Sequence, residues 1–481
     1  MIVLEIFPYA HVVYNVFSIL YILTIIVTIG VIVGENRNPV KSLAWVTVLI
    51  LLPVAGFILY LLFGRSLKGM RMISRRNRKR LRARHHFAPV NIDRLPLSDT
   101  NRQLVRLVNK LVEPHYFAHN HIDIFTQGQP KFDQLKADLA AAREYIDLQY
   151  YIFEDDAIGR EICDILVAKA REGVTVRVIY DHLGSYTFNS SFFARMRRDG
   201  VEAYPFLKVT LTEFANRLNW RNHRKLVIID GKVGYVGGMN IADRYVTGDN
   251  GNRPWRDTHL RITGEAVSAL QYVYAIDWNF MGRPLPVEDT TALPLEASDT
   301  DGVQIVGSGP NGRWSNIALV FIHAISNARE RVWIQTPYFL PNDALLKVLQ
   351  TAALSRVDVR VMLPRRCDSR LLGLASASYI KECILAGIKV YFYDPAMLHS
   401  KVVIVDDDFV TTGSTNFDFR SFEHNFECNA LVYGKAFNAR MCAIFESDQS
   451  QCERVHLTRW RRRPLWRKAL ESIVRLLSPI L

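Results

Sequence analysis

The sequence predicts an α/β protein. Two pseudo-symmetric lobes, each a mixed sheet flanked by helices, follow an N-terminal two-helix transmembrane hairpin. Three observations carry this expectation. Two long apolar runs open the chain and a dense basic run follows them. An alternating β/α pattern then appears twice. A short motif of histidine, lysine and asparagine occurs once in each copy, at the same place.

The apolar runs, residues 12–33 and 43–63, contain no charged side chain. At about 1.5 Å of helical rise per residue each spans roughly 32 Å, the thickness of a bilayer core. No basic residue precedes the first run and a second run follows it, which argues against a cleaved signal peptide. Neither run has a polar stripe, which argues against soluble core helices, and Pro53 is tolerable in a packed membrane helix. The connector 34–42 holds only Glu35, Arg37 and Lys41, whereas ten Lys/Arg and no acid lie between Arg65 and Arg84. The positive-inside rule therefore puts everything after residue 63 in the cytoplasm, with the N-terminus on the same side. The basic run becomes a juxtamembrane segment attracted to anionic headgroups.

The formal net charge is +13. The run after Phe63 and a second basic stretch, residues 454–475, account for more than all of it, so the body between is slightly acidic. That balance disfavours a nucleic-acid groove through the body. Six cysteines (163, 367, 383, 428, 442, 452), none in a C-x-x-C pair, form neither a disulfide framework nor a zinc site and read as reduced thiols facing the cytosol.

From about Asn91 the chain alternates. Residues 148–153 are strand-like, 158–171 helical, 174–180 a strand, 191–199 a short helix and 201–206 a third strand. A polar, Pro-containing stretch at 286–302 reads as a linker. The order then restarts, with strands at 334–339 and 357–363 and another at about 387–391. Gln335 falls in register with Gln149, Arg360 with Arg177 and Gly387 with Gly200. Nearly constant offsets over three elements indicate duplication of a whole α/β lobe.

The motif sits in matching places. His223, Lys225, Asp230, Gly237 and Asn240 recur as His399, Lys401, Asp406, Gly413 and Asn416 with identical spacing. One such histidine–lysine–aspartate pattern arises by chance with a probability of roughly a few per cent. Two copies inside a duplicated lobe do not. On a strand, His and Lys two apart share a face. Asp at +7 has the opposite parity and precedes turn residues, so Asp230 and Asp406 read as hairpin-holding groups. The return strand brings Asn240 and Asn416 towards the His/Lys face.

Lysines and amide donors without a carboxylate beside them suit a bound anion such as a phosphate diester. A neutral imidazole can attack phosphorus while a second, protonated one delivers a proton to the leaving oxygen. Each ring needs a partner on its other nitrogen. Asp257 and Glu427, each just before a matching strand, are the candidates.

These residues resemble the hallmark of the phospholipase D superfamily, a duplicated H-x-K-x4-D with a G-[GS]-x-N extension, over about residues 110–450. With the apolar spans and basic juxtamembrane run, the chain is similar to its bacterial cardiolipin synthases. The resemblance implies two phospholipase D-type lobes, 111–285 and 303–453, between a membrane hairpin (1–64) with its basic linker (65–110) and a basic amphipathic tail (454–481). It implies one active site on a pseudo-twofold axis. There one of His223 and His399 forms a phosphatidyl-histidine and the other acts as general acid and base. Lys225, Lys401, Asn240, Asn416 and Ser414 would bind phosphoryl oxygens, and Asp230 and Asp406 are counted with the active set. Gly238 stands where the second motif has Ser414, so the half-sites are not identical. No metal and no cofactor is implied.

The implied reaction is transfer of a phosphatidyl group between two phosphatidylglycerol molecules, giving cardiolipin and glycerol at a bacterial inner membrane. Phosphatidylglycerol and other anionic lipids are the partners, and no nucleic acid is expected. A hydrolase or nuclease of the same superfamily, and phosphatidylethanolamine as co-substrate, are the alternatives. A non-catalytic adaptor is disfavoured because both motifs are intact. The tail 465–477 carries an apolar stripe opposite charges, suited to an interfacial helix or to packing on the second lobe. The aromatic-basic stretch 214–220 is suited to lipid contact or to burial.

Overall fold

The computed structural model describes residues 10–34, 39–64, 67–84, 90–113, 115–185, 190–208, 219–249, 253–284 and 301–478. Most of the expected linker 286–302 and of the stretch 214–220 lies outside these residues.

The N-terminal apolar unit is helical. Ala10–Gly34 is one 25-residue helix, and Tyr14–Gly34 within it is, among the described residues, the one helix long and apolar enough to cross a membrane. The second run does not form the single helix expected over 43–63. It divides into Pro39–Leu51 and Pro53–Leu59, followed by a wider π-type turn at Tyr60–Gly64. Leu52 between them leaves helical geometry, at φ −128° and ψ 70°. The cause is Pro53, which has no N–H, crowds the carbonyl one turn back and drives the preceding residue towards extended geometry. Ile32, Leu49 and Tyr60 nevertheless pack together, with Trp45 edge-on to Tyr60 at 5.5 Å. Phe17, Leu23 and Leu51 face outward.

The body contains two sheets that share one plan. In the first lobe the strands are β1 (Asn120–Phe125), β2 (Tyr145–Tyr150), β3 (Thr175–Asp181), β4 (Glu202–Phe206), β5 (Arg221–Asn222), β6 (Leu226–Ile229), β7 (Val233–Gly237) and β8 (His259–Gly264). The second lobe has β9 (Gly302–Ser308), β10 (Arg331–Gln335), β11 (Phe339–Leu340), β12 (Asp358–Pro364), β13 (Lys389–Tyr393), β14 (Val402–Val405), β15 (Phe409–Gly413), β16 (Phe417–Asp418), β17 (Asn425–Tyr433) and β18 (Cys452–Arg454). The first sheet runs β1-β8-β7-β6-β2-β3-β4. The second repeats that order as β9-β17-β15-β14-β10-β12-β13 and adds β18 at its edge. β2, β3 and β4 are parallel, as are β10, β12 and β13. Parallel neighbours need crossovers. Ala157–Arg171 and Ser190–Arg198 supply them in the first lobe, and Asp343–Leu354 and Arg370–Leu385 in the second.

Each lobe has its own apolar core, and a third cluster runs through both. It joins Leu226, Val236 and Leu260 of the first lobe to Val402, Phe426 and Ala430 of the second, all buried. The lobes are therefore joined by core-like packing. All six cysteines are free thiols.

Two strands end earlier than their sequence suggests. β2 stops at Tyr150 and β10 at Gln335, where apolar and aromatic residues continue to 153 and 339. Beyond these points the chain leaves the sheet to pair with the segment after each motif asparagine. Phe153 bridges Ile241 in the first lobe, and β11 pairs with β16 in the second. Strand-forming residues are thus used in a second, shorter ladder.

Asp230 and Asp406 occupy hairpin turns, both at φ +51°, the left-handed region that aspartate tolerates better than most residues. The Asp230 carboxylate accepts the backbone N–H groups of Arg143, Glu144 and Tyr145 at 2.8, 2.8 and 2.9 Å. Asp406 accepts those of Arg329, Glu330 and Arg331. Each ties the turn to the start of the central strand, β2 or β10. Asp230→Ala removes a charged acceptor from three amides and should cost about 3 kcal/mol of stability. Thermal unfolding of the detergent-solubilised chain measures this, and the protein that remains folded should keep its activity.

Candidate active site

The two motif histidines reach one cavity because each hangs on the backbone of the other lobe. β5, just before His223, pairs in parallel with Asn425 and Phe426 at the start of β17, and the His223 N–H donates to the Phe426 carbonyl at 2.9 Å. Reciprocally, Arg256 bridges Leu398, and the His399 N–H donates to the Arg256 carbonyl at 2.7 Å. The residue after Phe426 is Glu427, and the one after Arg256 is Asp257. The register therefore delivers a carboxylate of the opposite lobe to each ring. His223 Nδ1 lies 3.1 Å from both Glu427 oxygens, and His399 Nδ1 lies 2.6 Å from Asp257 Oδ2.

Both rings, with Asn240 and Asn416, line a single cavity of about 540 Å³. Since carboxylates hold Nδ1 in each ring, Nε2 is the nitrogen left for a ligand. Aromatic rings fix the imidazoles from the side: Tyr151 meets His223 edge-on at 4.9 Å, and Trp255 lies 5.3 Å from His399. Asn240 accepts the Ile152 N–H and donates to the Tyr245 hydroxyl, which lies 3.3 Å from His399 Nδ1. Asn416 keeps a buried amide oxygen without a hydrogen bond.

Both lysines are buried beside the rings. Lys225 Nζ donates to the His223 carbonyl at 2.6 Å. Lys401 Nζ donates to the His399 carbonyl and lies 3.8 Å from Asp257. Burial pushes Lys225 well below the ordinary lysine value and Lys401 down to about 8. Burial also lowers His223, only partly offset by Glu427. Burial together with Lys401 takes His399 down to about 4. For Glu427 and Asp257, burial alone would raise the pKa, but the histidines and lysines outweigh it and hold both carboxyls below their ordinary range. The cavity thus presents neutral imidazoles on charged carboxylates. The charge of a phosphate anion beside these groups would favour the protonated forms of the lysines and histidines.

Known proteins bear on this arrangement. The family profile described as "Cardiolipin synthase, PLD-like domain" matches residues 135–255 and 321–449, and "Phospholipase_D-nuclease N-terminal" matches residues 19–65. The chain is 38% identical over 477 residues to the Major cardiolipin synthase ClsA of Bacillus subtilis (strain 168), covering 96% of this chain and 98% of that relative. It is 37% identical over 472 residues to the Cardiolipin synthase of Geobacillus kaustophilus (strain HTA426), covering 97% and 94%. The chain belongs to the cardiolipin synthase family of phospholipase D-like proteins. It is a membrane-associated phosphatidyltransferase. The fold agrees: the crystal structure of phosphatidylserine synthase from Haemophilus influenzae Rd KW20 superposes with a TM-score of 0.61 at 15% identity, over 80% of this chain and all of that one.

Within the family pattern the structure sorts the expected site residues. His223, His399, Asn240 and Asn416 line the cavity. Lys225 and Lys401 sit against the two motif histidines. Asp257 and Glu427 are the ring partners, each crossing to the other lobe. Asp230 and Asp406, counted by resemblance with the active set, are instead at the hairpin turns, where their oxygens are occupied by backbone amides. Ser414 does not line the cavity either. Its hydroxyl donates to Glu427 Oε2 and accepts the Cys428 N–H, so it steadies a carboxylate where a phosphate contact was expected. At Gly238, its counterpart, a Cβ would sit 2.1 Å from Asp257 Oδ1. There the Thr258 N–H steadies the carboxylate instead, at 2.7 Å.

Sequence reasoning missed the buried ion pairs around the site. Asp277 accepts Arg224, Asn222 and Gln149, and Asp448 accepts Arg256 and Gln335. The in-register glutamines Gln149 and Gln335 were the available signal. Arg221, Arg244 and Arg420 also line the cavity, and no spacing rule pointed to them.

Two outcomes follow from this geometry. Gly238→Ser, which copies the second motif into the first, should displace Asp257 and lower kcat by roughly 100-fold or more. Ser414→Gly should cost much less, and steady-state kinetics of both variants compare the two. In the free enzyme both rings are already neutral near pH 7. The value of kcat/KM should therefore fall as pH rises above the depressed histidine range, because the general acid must take up its proton on binding. The fall should steepen above about pH 8 as Lys401 loses its charge. The depressed His399 also makes stability decline as pH drops from about 6.5 towards 4, since the unfolded chain takes a proton the native state refuses. Activity and thermal-melting pH profiles check these limbs.

Proposed function

We propose that this chain makes cardiolipin by transferring the phosphatidyl group of one phosphatidylglycerol to the glycerol headgroup of another, through a covalent histidine intermediate. The observation that supports this reading above all others is that His223 and His399 line one cavity, each held at Nδ1 by a carboxylate.

Nε2 of one histidine attacks phosphorus, the bond to the glycerol headgroup oxygen breaks, and the other histidine, protonated once the anion is bound, gives that oxygen its proton. Glycerol leaves. The second histidine, now neutral, takes the proton from a hydroxyl of a second phosphatidylglycerol, whose oxygen attacks the same phosphorus and frees the first ring. Lys225, Lys401, Asn240 and Asn416 stabilise the phosphoryl charge, which is greatest at the pentacoordinate transition states. Transfer to an alcohol in place of water is favoured where lipid fills the cavity and excludes solvent. The charge pattern around the apolar spans supports a multi-pass inner-membrane protein with its catalytic body in the cytoplasm.

The test uses the full-length chain with radiolabelled phosphatidylglycerol. Expected are a diphosphatidyl product, equimolar glycerol, an acid-labile radiolabelled protein adduct after rapid quench, and a rate unchanged by EDTA. His223→Ala and His399→Ala should each lower turnover by at least about 1,000-fold, and the adduct should disappear in the variant that lacks the nucleophile. Phosphatidic acid as the main product would favour a hydrolase, and full activity in either alanine variant would overturn the shared-site chemistry.

A further inference from the structure

The helix Leu465–Arg475 packs on the second lobe the wrong way round for a water-facing surface. Its buried positions are Glu471 and Val474, at 3% and 4% exposure. Glu471 is held there by both guanidinium nitrogens of Arg463, at 2.6 and 3.0 Å, and Arg475 pairs with Glu382 on helix Arg370–Leu385 at 2.7 Å. The apolar stripe points elsewhere. Leu465 is 80% exposed, Trp466 69%, Ile473 61% and Leu476 79%, with Leu470 and Leu477 also exposed. At about 100° per residue these positions fall on one face, offset from the docking side. A contiguous exposed apolar face on a soluble surface marks an interaction site. Leu385, at the end of the helix it packs on, is exposed as well.

The charges around it choose the occupant. Arg461, Arg462 and Lys468 have no ion pair among the described residues, and Arg467 shares a long 3.5 Å contact with the already paired Glu471. Trp466 and Arg467 also wall a groove of about 690 Å³ that contains Arg370 and Trp460 and reaches Pro337 and Cys367. Their neighbours Tyr338 and Asp368, hydrogen-bonded at 2.9 Å, line the reactive cavity. Leucine, isoleucine and tryptophan beside a belt of arginine and lysine match the interfacial layer of an anionic bilayer, where apolar side chains enter the acyl boundary and cations meet phosphates.

We infer that helix Leu465–Arg475 with its flanking arginines is a docking surface for an anionic phospholipid bilayer. It is a membrane contact of the second lobe, made by residues other than those of the N-terminal apolar helices. This contact holds whatever reaction the cavity performs, so its test does not read activity.

Full-length protein carrying Ile473→Cys is labelled with an environment-sensitive dye, alongside unsubstituted protein to subtract the native thiols. It is reconstituted into vesicles of phosphatidylglycerol with phosphatidylcholine, and of phosphatidylcholine alone. Brominated-acyl lipids should quench the dye at least about threefold more in the anionic vesicles than in the neutral ones, while aqueous iodide quenches it less. Arg461→Gln with Arg462→Gln and Lys468→Gln should remove that difference. Equal iodide access in both vesicle types would overturn the inference. So would disulfide formation between Ile473→Cys copies, which would assign the face to a second copy of the chain.

Discussion

A histidine of one lobe held by a carboxylate of the other is the constraint on which the remainder of the structure depends. His223 on Glu427 and His399 on Asp257 can exist only if the lobes dock with a register fixed to within one residue. A slip by one residue would turn each carboxylate to the opposite face of its strand. The register is set by backbone hydrogen bonds, from His223 to Phe426 and from His399 to Arg256. These sit among shared apolar packing that includes Phe426 and Leu398. Neither lobe alone supplies both members of either motif histidine–carboxylate pair, so the duplicated halves form one functional unit.

The electrostatics behind the rings shows how a duplicated fold diverges while keeping one solution. Each crossing buries a guanidinium on a helix aspartate. At one it is Arg224, the residue after His223, on Asp277; at the other it is Arg256, the residue before Asp257, on Asp448. Buried charges are tolerable only when paired and fully hydrogen-bonded, so the arginine has moved along the sequence while the pair has stayed. The same compensation appears at Gly238 and Ser414. The second half-site steadies its carboxylate with a hydroxyl, and the first, with no room for a side chain, uses the Thr258 amide. The two histidines consequently differ: His399 has the shorter carboxylate contact and a lysine at 2.8 Å from Nδ1.

A lipid substrate also explains why the charge lies at the flanks. Within the body, Arg221, Arg244 and Arg420 line the cavity, and Lys225 and Lys401 sit behind its two histidines. The basic stretches near residues 65–84 and 454–475 are suited to anionic phospholipid headgroups. The apolar helices within residues 10–64 and the outward-facing amphipathic helix Leu465–Arg475 each give the chain surface that water alone does not reward.

The amino-acid sequence by itself determined the duplication, the motif side chains, the turn role of Asp230 and Asp406 and the apolar N-terminus. Each of these is a local pattern, a spacing or periodicity that survives without knowledge of the fold. It also contained Asp257 and Glu427, but not which ring each serves. That pairing joins residues 204 and 142 positions apart and depends on how two sheets meet. Strand ends at Tyr150 and Gln335 were illegible for a related reason: the same aromatic residues suit a long ladder or a second short one, and only the partner strand decides. Tertiary structure alone determined that Ser414 faces a carboxylate, that Arg224 and Arg256 take equivalent places, and that the C-terminal helix buries Glu471 and exposes its leucines. The physical reason is common to all three. Hydrogen bonds and ion pairs between distant segments are set by docking geometry, and docking leaves no periodic trace in either segment.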